Sequence, residues 1–471
     1  MPAILSSQRA FADGLFQENL PPATIGDRQA SLFVRINPPI LTSDTRQDAF
    51  LQLRLFDAKN NETIKFTTFF ITISKGTDPE ARPLMPPDAF HTESGLLTLK
   101  IQPQEGPITV AATREDFLNS WKADPGGTIN IRGPILLEGG LYHFRIEVLT
   151  VDNIRNLFLP ENAPVFDTYL SVGDVTTQQV DSGGQTYPVT LISYYDRVKD
   201  FSFAPDTKTF SWAMPFDWNA TRIEQAANVF VHEEVKIPKS FGGVGDAMAY
   251  DATVNGKPIS GRMLAVDPFS SETEQILHFL INKNDILALA GEVPAGTSDM
   301  TFSFAPSSEE TGEKTSSEIA TDTGGVHVKL DWTPDQLGAG QDTKLGFQFV
   351  DAFSGKDITA DVTYDLKIVD KQGEQVFAAS DQVARGGKGE QTGLTFPADE
   401  VYNIEVQVKS IQQQGQSPDL TRNGIARGVV VVPEFPATAG AALAVAGALG
   451  AVIAAGRFVA SRRQQKKKKL E

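Results

Sequence analysis

Cysteine is absent from all 471 residues, which excludes a disulfide framework, a thiolate metal site and a thiol nucleophile. Histidine is scarce. The five, His91, His143, His232, His278 and His327, include no pair at i,i+3 or i,i+4, the spacing that sets two imidazoles on one helix face. His232-Glu233-Glu234 is not the HExxH zinc arrangement, because Lys236 stands where the second histidine belongs. No metal ligand is therefore assigned. A G-x-S-x-G nucleophile elbow is also missing. Gly242-Gly243-Val244-Gly245 and Gly338-Ala339-Gly340 lack the Gly-Lys-Ser/Thr ending of a phosphate loop and a full dinucleotide fingerprint, and turns account for both. No catalytic or cofactor-binding residue is nominated, and the expected class is non-enzymatic. A hydrolase using paired carboxylates stays open as an alternative, because such pairs converge only in three dimensions.

What is present is acid. The chain carries 59 Asp and Glu against 42 Lys and Arg, a net charge of -17. Seven of those cations lie after residue 456 beside one acid, Glu471, so the remainder is more acidic still. Such a surface repels nucleic acid and excludes it as a partner. Hydrophobic content of 41% with 21% charged residues is the mix of a folded protein. The length predicts three globular units plus appendages.

The sequence predicts a mainly β protein built from tandem β-sandwiches. Leu32 to Ile36, the alternating Leu51, Leu53 and Leu55, and Ile64 to Ile73 read as a strand meander, with turn chemistry at Asp57 to Asn61. Further strands follow to Val151, and one helix is expected between Thr113-x-x-Asp116 and Asp124-Pro125-Gly126-Gly127. Pro160 and Pro164 suggest the first boundary, giving a unit over 13–160. A second β-rich unit covers 161–306, with a short helix near Asp285 to Ala290 stopped by Gly291. Residues 307–325 are polar and acidic and read as a disordered linker. The third unit, 326–432, has the short strands and turns of an immunoglobulin-like domain without a disulfide.

The two ends speak about location. Residues 437–456, ATAGAALAVAGALGAVIAAG, carry no charge, and about 20 helical residues span the roughly 30 Å of a bilayer's hydrocarbon. Arg457, Arg462, Arg463 and Lys466 to Lys469 follow, a cluster that stays in the cytoplasm and so places the bulk of the chain outside. At the other end, Ala10-Phe11-Ala12 before Asp13 has the small-x-small pattern of a signal-peptidase site, and residues 1–12 read as the remnant of a signal peptide.

Pro433-Glu434-Phe435, then a weak helix, then a basic cluster form a tripartite tail. This tail resembles the PEF-type C-terminal sorting signals that archaeosortases recognise and cleave. Pro436 stands where the compared members have glycine, and its fixed φ suits the first turn of the helix. With stretches such as Asn19 to Gln29, the order of regions is similar to that of exported surface proteins of ammonia-oxidising archaea. The resemblance implies an archaeosortase-like processing enzyme as a partner and Pro433, Glu434 and Phe435 as its motif.

Asn61-Glu62-Thr63 and Asn219-Ala220-Thr221 are sequons, so Asn61 and Asn219 are glycosylation candidates in an exterior compartment. The acidic stretch Asp351 to Asp361 is a candidate Ca²⁺ loop without EF-hand spacing, with a solvated loop as the plain alternative. Trp121, Trp212, Trp218 and Trp332, with Phe216 and Phe241, could form a carbohydrate platform, although core packing is the commoner use of such rings. These readings converge on an exported, non-enzymatic surface protein anchored by one C-terminal span. Its β-domains would serve envelope structure, adhesion or ligand capture, with other envelope proteins or an extracellular ligand as partners. The alternative is a solute receptor whose binding domain is 161–306, marked by a deep aromatic-lined pocket.

Overall fold

The computed structural model describes residues 12–432, apart from 14, 79, 227, 248, 260, 269, 308–314 and 416–417. The protein is mainly β, and its strands gather around three hydrophobic cores. The tail motif Pro433, Glu434 and Phe435, the span 437–456 and Ala10 lie outside the described residues. Among the described residues, no helix is long and apolar enough to cross a membrane.

Strict alternation builds the first core. In the strand Arg28–Asn37, Leu32, Val34 and Ile36 are buried while Phe33 and Arg35 stay partly exposed, and Phe50–Asp57 repeats the pattern with Leu51, Leu53 and Leu55. Burying each such side chain contributes about 1.5–3 kcal/mol. Two six-stranded sheets share this core. One runs from Gln17–Ile25 through Leu96–Pro103 to Thr109–Ala111, and the other includes Thr67–Lys75, Gly140–Thr150 and Val165–Val172.

Two expectations for this unit are corrected. The helix expected over 113–124 is absent: Thr113–Arg114 and Trp121–Lys122 pair as short antiparallel strands. Between them the Glu115 carboxylate accepts the backbone N–H groups of Phe117 and Leu118, both at 2.8 Å. A local acceptor thus competes with helical bonding, and Phe117 is exposed, so no apolar stripe holds a helix down. The proline-bracketed stretch at 160–164 also does not end the unit. It turns a hairpin, because Val165–Val172 pairs with Gly140–Thr150 and buries Phe166, Leu170 and Val172 in the first core.

The second core lies between two further sheets. The sheet that matters for the site has the order Asp174–Ser182, Gln185–Ser193, Asn228–Pro238, Glu274–Asn282, Leu264–Asp267, and Ala12–Asp13 pairs in parallel with Asn228–Pro238. Phe210, Trp212, Phe279, Phe302 and Phe304 stack and tilt against one another inside. The expected short helix is present as Lys283–Ala290, capped by Asn282 and Asp285 in a reciprocal capping box and ended at Gly291.

In the third unit, two four-stranded sheets face each other across one core. The linker expected over 307–325 is ordered at its C-terminal end. Glu318–Ala320 pairs with Val326–Thr333, and Ile319 is buried in the third core. Ser316 and Thr315 meanwhile hydrogen-bond the strand Gly424–Val431. Edge pairing supplies what the segment's poor apolar content does not.

The second and third units pack tightly. Gly324 sits at φ +69 with Phe230 of the second unit directly against it, so a β-carbon there would overlap the ring. Gly324→Ala is expected to lower stability by about 1–3 kcal/mol in equilibrium urea unfolding, through overpacking and backbone strain. A change within about 0.5 kcal/mol would show that this contact is loose.

Candidate functional site at the junction of the three units

The strand Asn228–Pro238 has two working faces, because successive side chains alternate. Val229, Val231, Glu233, Val235 and Ile237 point into the second core. Phe230, His232, Glu234 and Lys236 point the other way, toward the third unit and the N-terminal segment. Phe230 meets Leu280 and Ala320 there in a small apolar cluster, with Leu15 and Ala265 against it. His232 and Glu234 are buried because a neighbouring unit covers this face, since strand geometry alone would leave them in solvent.

A cavity of about 520 Å³ opens beside this face. Its walls come from all three units: Phe16 and Asn19 from the first, Tyr194 and His232 from the second, Phe353 and Arg422 from the third. Into it project three side chains that cross-strand register brings together. His232 and Glu234 are two apart on one strand, and Glu234 lies directly opposite His278 on Glu274–Asn282. One ligand atom from each lies within 4.8 Å of the others. His232 Nε2 and His278 Nδ1 are 3.2 Å apart. The Tyr194 hydroxyl donates to Glu234 Oε2 at 3.2 Å, and its ring stacks on His232 with centroids 4.5 Å apart. Lys236 Nζ is 3.2 Å from Glu234 Oε1.

Burial, with His278 and Arg427 nearby, drives the His232 pKa well below its ordinary value, so the ring is neutral. Its imidazole also hydrogen-bonds the backbone of Asp322 in the third unit. Asp267 is 2% exposed; burial alone would raise its pKa, but His278, Ser270 and Arg427 together hold it well below the usual carboxylate range. Arg427 Nε, from the third unit, is 3.1 Å from Asp267 Oδ2. A second set of polar bridges joins the same two units. Arg262, forked onto Asp285 of its own unit at 2.6 and 2.7 Å, reaches Glu318 at 3.5 Å, and the Asn282 amide meets His327 Nε2 at 3.2 Å, with Glu318 receiving His327 Nδ1 at 3.0 Å. On the core side, Glu233 accepts from Ser193 Oγ at 2.6 Å and Trp212 Nε1 at 3.2 Å, and burial pushes its pKa up to about 8.

No protein-family model and no curated protein matches the sequence. Solved structures with some likeness include trypsin-activated alpha-2-macroglobulin from Escherichia coli, at 8% identity and a TM-score of 0.18, covering 88% of this chain and 35% of that one. Salmonella alpha-2-macroglobulin reacted with methylamine gives 7% identity and a TM-score of 0.17, covering 87% and 33%. The chain spans about a third of the length of these proteins. Likeness at this level bears on neither fold nor function.

The residues singled out from sequence are dispersed. Asn61 is exposed in a turn at φ 60, where its side-chain oxygen accepts from Arg54 at 3.1 Å. Asn219 is exposed and caps the short helix Ala220–Gln225. The backbone of Ala12 forms the two-residue strand noted above. In the acidic stretch 351–361, Asp351 is engaged by the Ser354 N–H at 2.7 Å and by Arg422, and Asp361 by the Gly386 N–H at 2.9 Å. Trp212, Phe216, Phe241 and Trp332 are buried, while Trp218 and Trp121 pack against the second and first cores. They form no shared platform. His91 is buried against Thr68, and His143 contacts Asp167 at 2.5 Å.

His232, Glu234 and His278 escaped the sequence reading because a helical spacing was sought. The visible signal was His-x-Glu inside a strand-like run, which places two ligands on one sheet face. The third ligand depends on a partner strand, and no local pattern carries it.

Proposed function

We propose that the chain is an exported, non-enzymatic cell-surface protein that captures a small ligand where its three β-units meet. The observation that carries ligand capture is the cavity of about 520 Å³ walled by all three units, within the size range of small-molecule sites. Apolar and aromatic residues such as Phe16, Ile40, Phe230 and Phe353 share its wall with polar and charged ones such as His232, Glu234 and Arg422, so it offers both burial and groups that orient a ligand. The second unit's own interior is filled with aromatic rings, so capture is assigned to the junction instead of the inside of that domain.

Surface location rests on the sequence: the PEF-type motif, the uncharged segment 437–456 and the basic cluster after it. In this reading the units are tandem β-sandwiches, the last immunoglobulin-like. A single C-terminal helix anchors them with the C-terminus in the cytoplasm, until an archaeosortase-like enzyme acts on Pro433, Glu434 and Phe435. Other envelope proteins are its expected neighbours. Mass spectrometry of the protein from native envelopes tests this: the mature chain should start near Asp13, end near Phe435 and carry glycan mass on Asn61 or Asn219. Recovery of the intact, unmodified polypeptide from the cytosol would overturn it.

A further inference from the structure

Two buried imidazoles and one carboxylate converge on the wall of the junction cavity. His232 Nε2 faces His278 Nδ1 at 3.2 Å. The far nitrogen of His278, Nε2, is turned toward the buried Asp267 carboxylate at 3.9 Å and has no hydrogen-bond partner of its own. A buried polar nitrogen left unpaired is costly.

A cation between the rings accounts for this arrangement. Both facing nitrogens then present lone pairs to the ion, and the distal N–H of His278 points at the Asp267 carboxylate, as outer-shell carboxylates of metal-bound histidines do. Imidazole donors about 2.0–2.1 Å from a tetrahedral ion lie about 3.3 Å apart, close to the observed 3.2 Å. Glu234 completes a set of three, and each of its oxygens retains a lone pair beside Tyr194 or Lys236. Asp267 is itself oriented by Arg427, as outer-shell carboxylates of metal sites are.

We propose that His232, Glu234 and His278 bind one divalent transition-metal ion of the zinc class, with a fourth coordination position open to the junction cavity. Two nitrogens and one carboxylate suit Zn²⁺, Co²⁺, Ni²⁺ or Cu²⁺, whereas Ca²⁺ and Mg²⁺ require oxygen ligands throughout. Ligands come from two strands of the second unit, and the third unit supplies Asp322 and Arg427, so the ion would also tie the two units together. The inference does not depend on where the protein resides.

The test uses the full chain purified without an affinity tag, stripped by chelator and titrated with Zn²⁺ in calorimetry under excess Ca²⁺ and Mg²⁺. Co²⁺ serves as a second probe through its visible absorption. The expected result is one ion per chain, with Co²⁺ bands of a low-coordinate nitrogen–oxygen site. His278→Ala should abolish binding, and Glu234→Gln should weaken it at least tenfold. Asp267→Asn, which touches no ion, should weaken it about 10–100-fold. Should the histidine variant fail to fold, the near-isosteric Glu234→Gln and Asp267→Asn carry the test. No stoichiometric Zn²⁺ binding by the parent chain, or binding unchanged in Glu234→Gln and His278→Ala, overturns the proposal in favour of a plain histidine–histidine hydrogen bond.

Discussion

Glu233→Gln should melt well above the parent chain at about pH 8.5 and close to it at about pH 5. The carboxyl is 1% exposed inside the second core, and burial raises its pKa from 4.5 to about 8. A raised acid costs nothing below its unfolded pKa, where folded and unfolded chains both hold the proton. Between about pH 4.5 and 8 the unfolded chain releases that proton while the folded one keeps it, so stability falls as pH rises, and it levels off above. At about 1.4 kcal/mol per pH unit the loss is about 5 kcal/mol. Glutamine has no proton to lose. Its amide N–H can meet Ser193 Oγ and its oxygen can accept from Trp212 Nε1, which preserves both contacts. At roughly 2–4 °C per kcal/mol for a unit of this size, thermal melts with chelator present should separate by on the order of 10 °C at the higher pH. An equal shift at both pH values would mean that Glu233 does not titrate in this window.

Removing the guanidinium of Arg427 should cost about 3–5 kcal/mol, because Asp267 would remain a buried anion stripped of its cation. Arg427→Met keeps the apolar stem and deletes only the charge. The loss should be felt where the second and third units meet, so amide exchange should quicken along Gly424–Val431 and Leu264–Asp267 before it does in the first core. Pairing the change with Asp267→Asn should recover more than half of the lost stability, since removing both partners leaves no stranded charge. Denaturant unfolding of the four chains in a double-mutant cycle measures the coupling. A single-variant cost under about 1 kcal/mol, or an additive double variant, would assign Arg427 to an ordinary surface pair.

Between them, these two changes separate the roles of one strand. Glu233 belongs to the inner face and reports on the second core, while its neighbours His232 and Glu234 belong to the outer face and report on the junction. Val231 and Val235 alternate with them in the sequence, so the run reads as a strand. Nothing local says that its outer face is covered.

Alternation and turn chemistry are short-range properties, and they were legible. The runs around Leu32, Leu53 and Ile71 read as strands because period-two burial needs only the residues themselves, and Gly291 marks the end of the short helix before it. Where a local cue competed with tertiary pairing, the cue lost. Thr113-x-x-Asp116 resembles a helix start, yet Glu115 captures the backbone and Trp121 anchors to Asp88. Pro160 and Pro164 resemble a boundary, yet the next strand returns to the same core.

By itself, then, the sequence determined a β-rich, cysteine-free, acidic chain with a sorting-type tail, because composition and alternation act residue by residue. Only the tertiary structure decided that His278 stands opposite Glu234, that Asp322 and Arg427 from the third unit cover the face carrying His232, and that a cavity remains between them. Register and docking depend on contacts between segments far apart in the chain, and no window of neighbouring residues contains them.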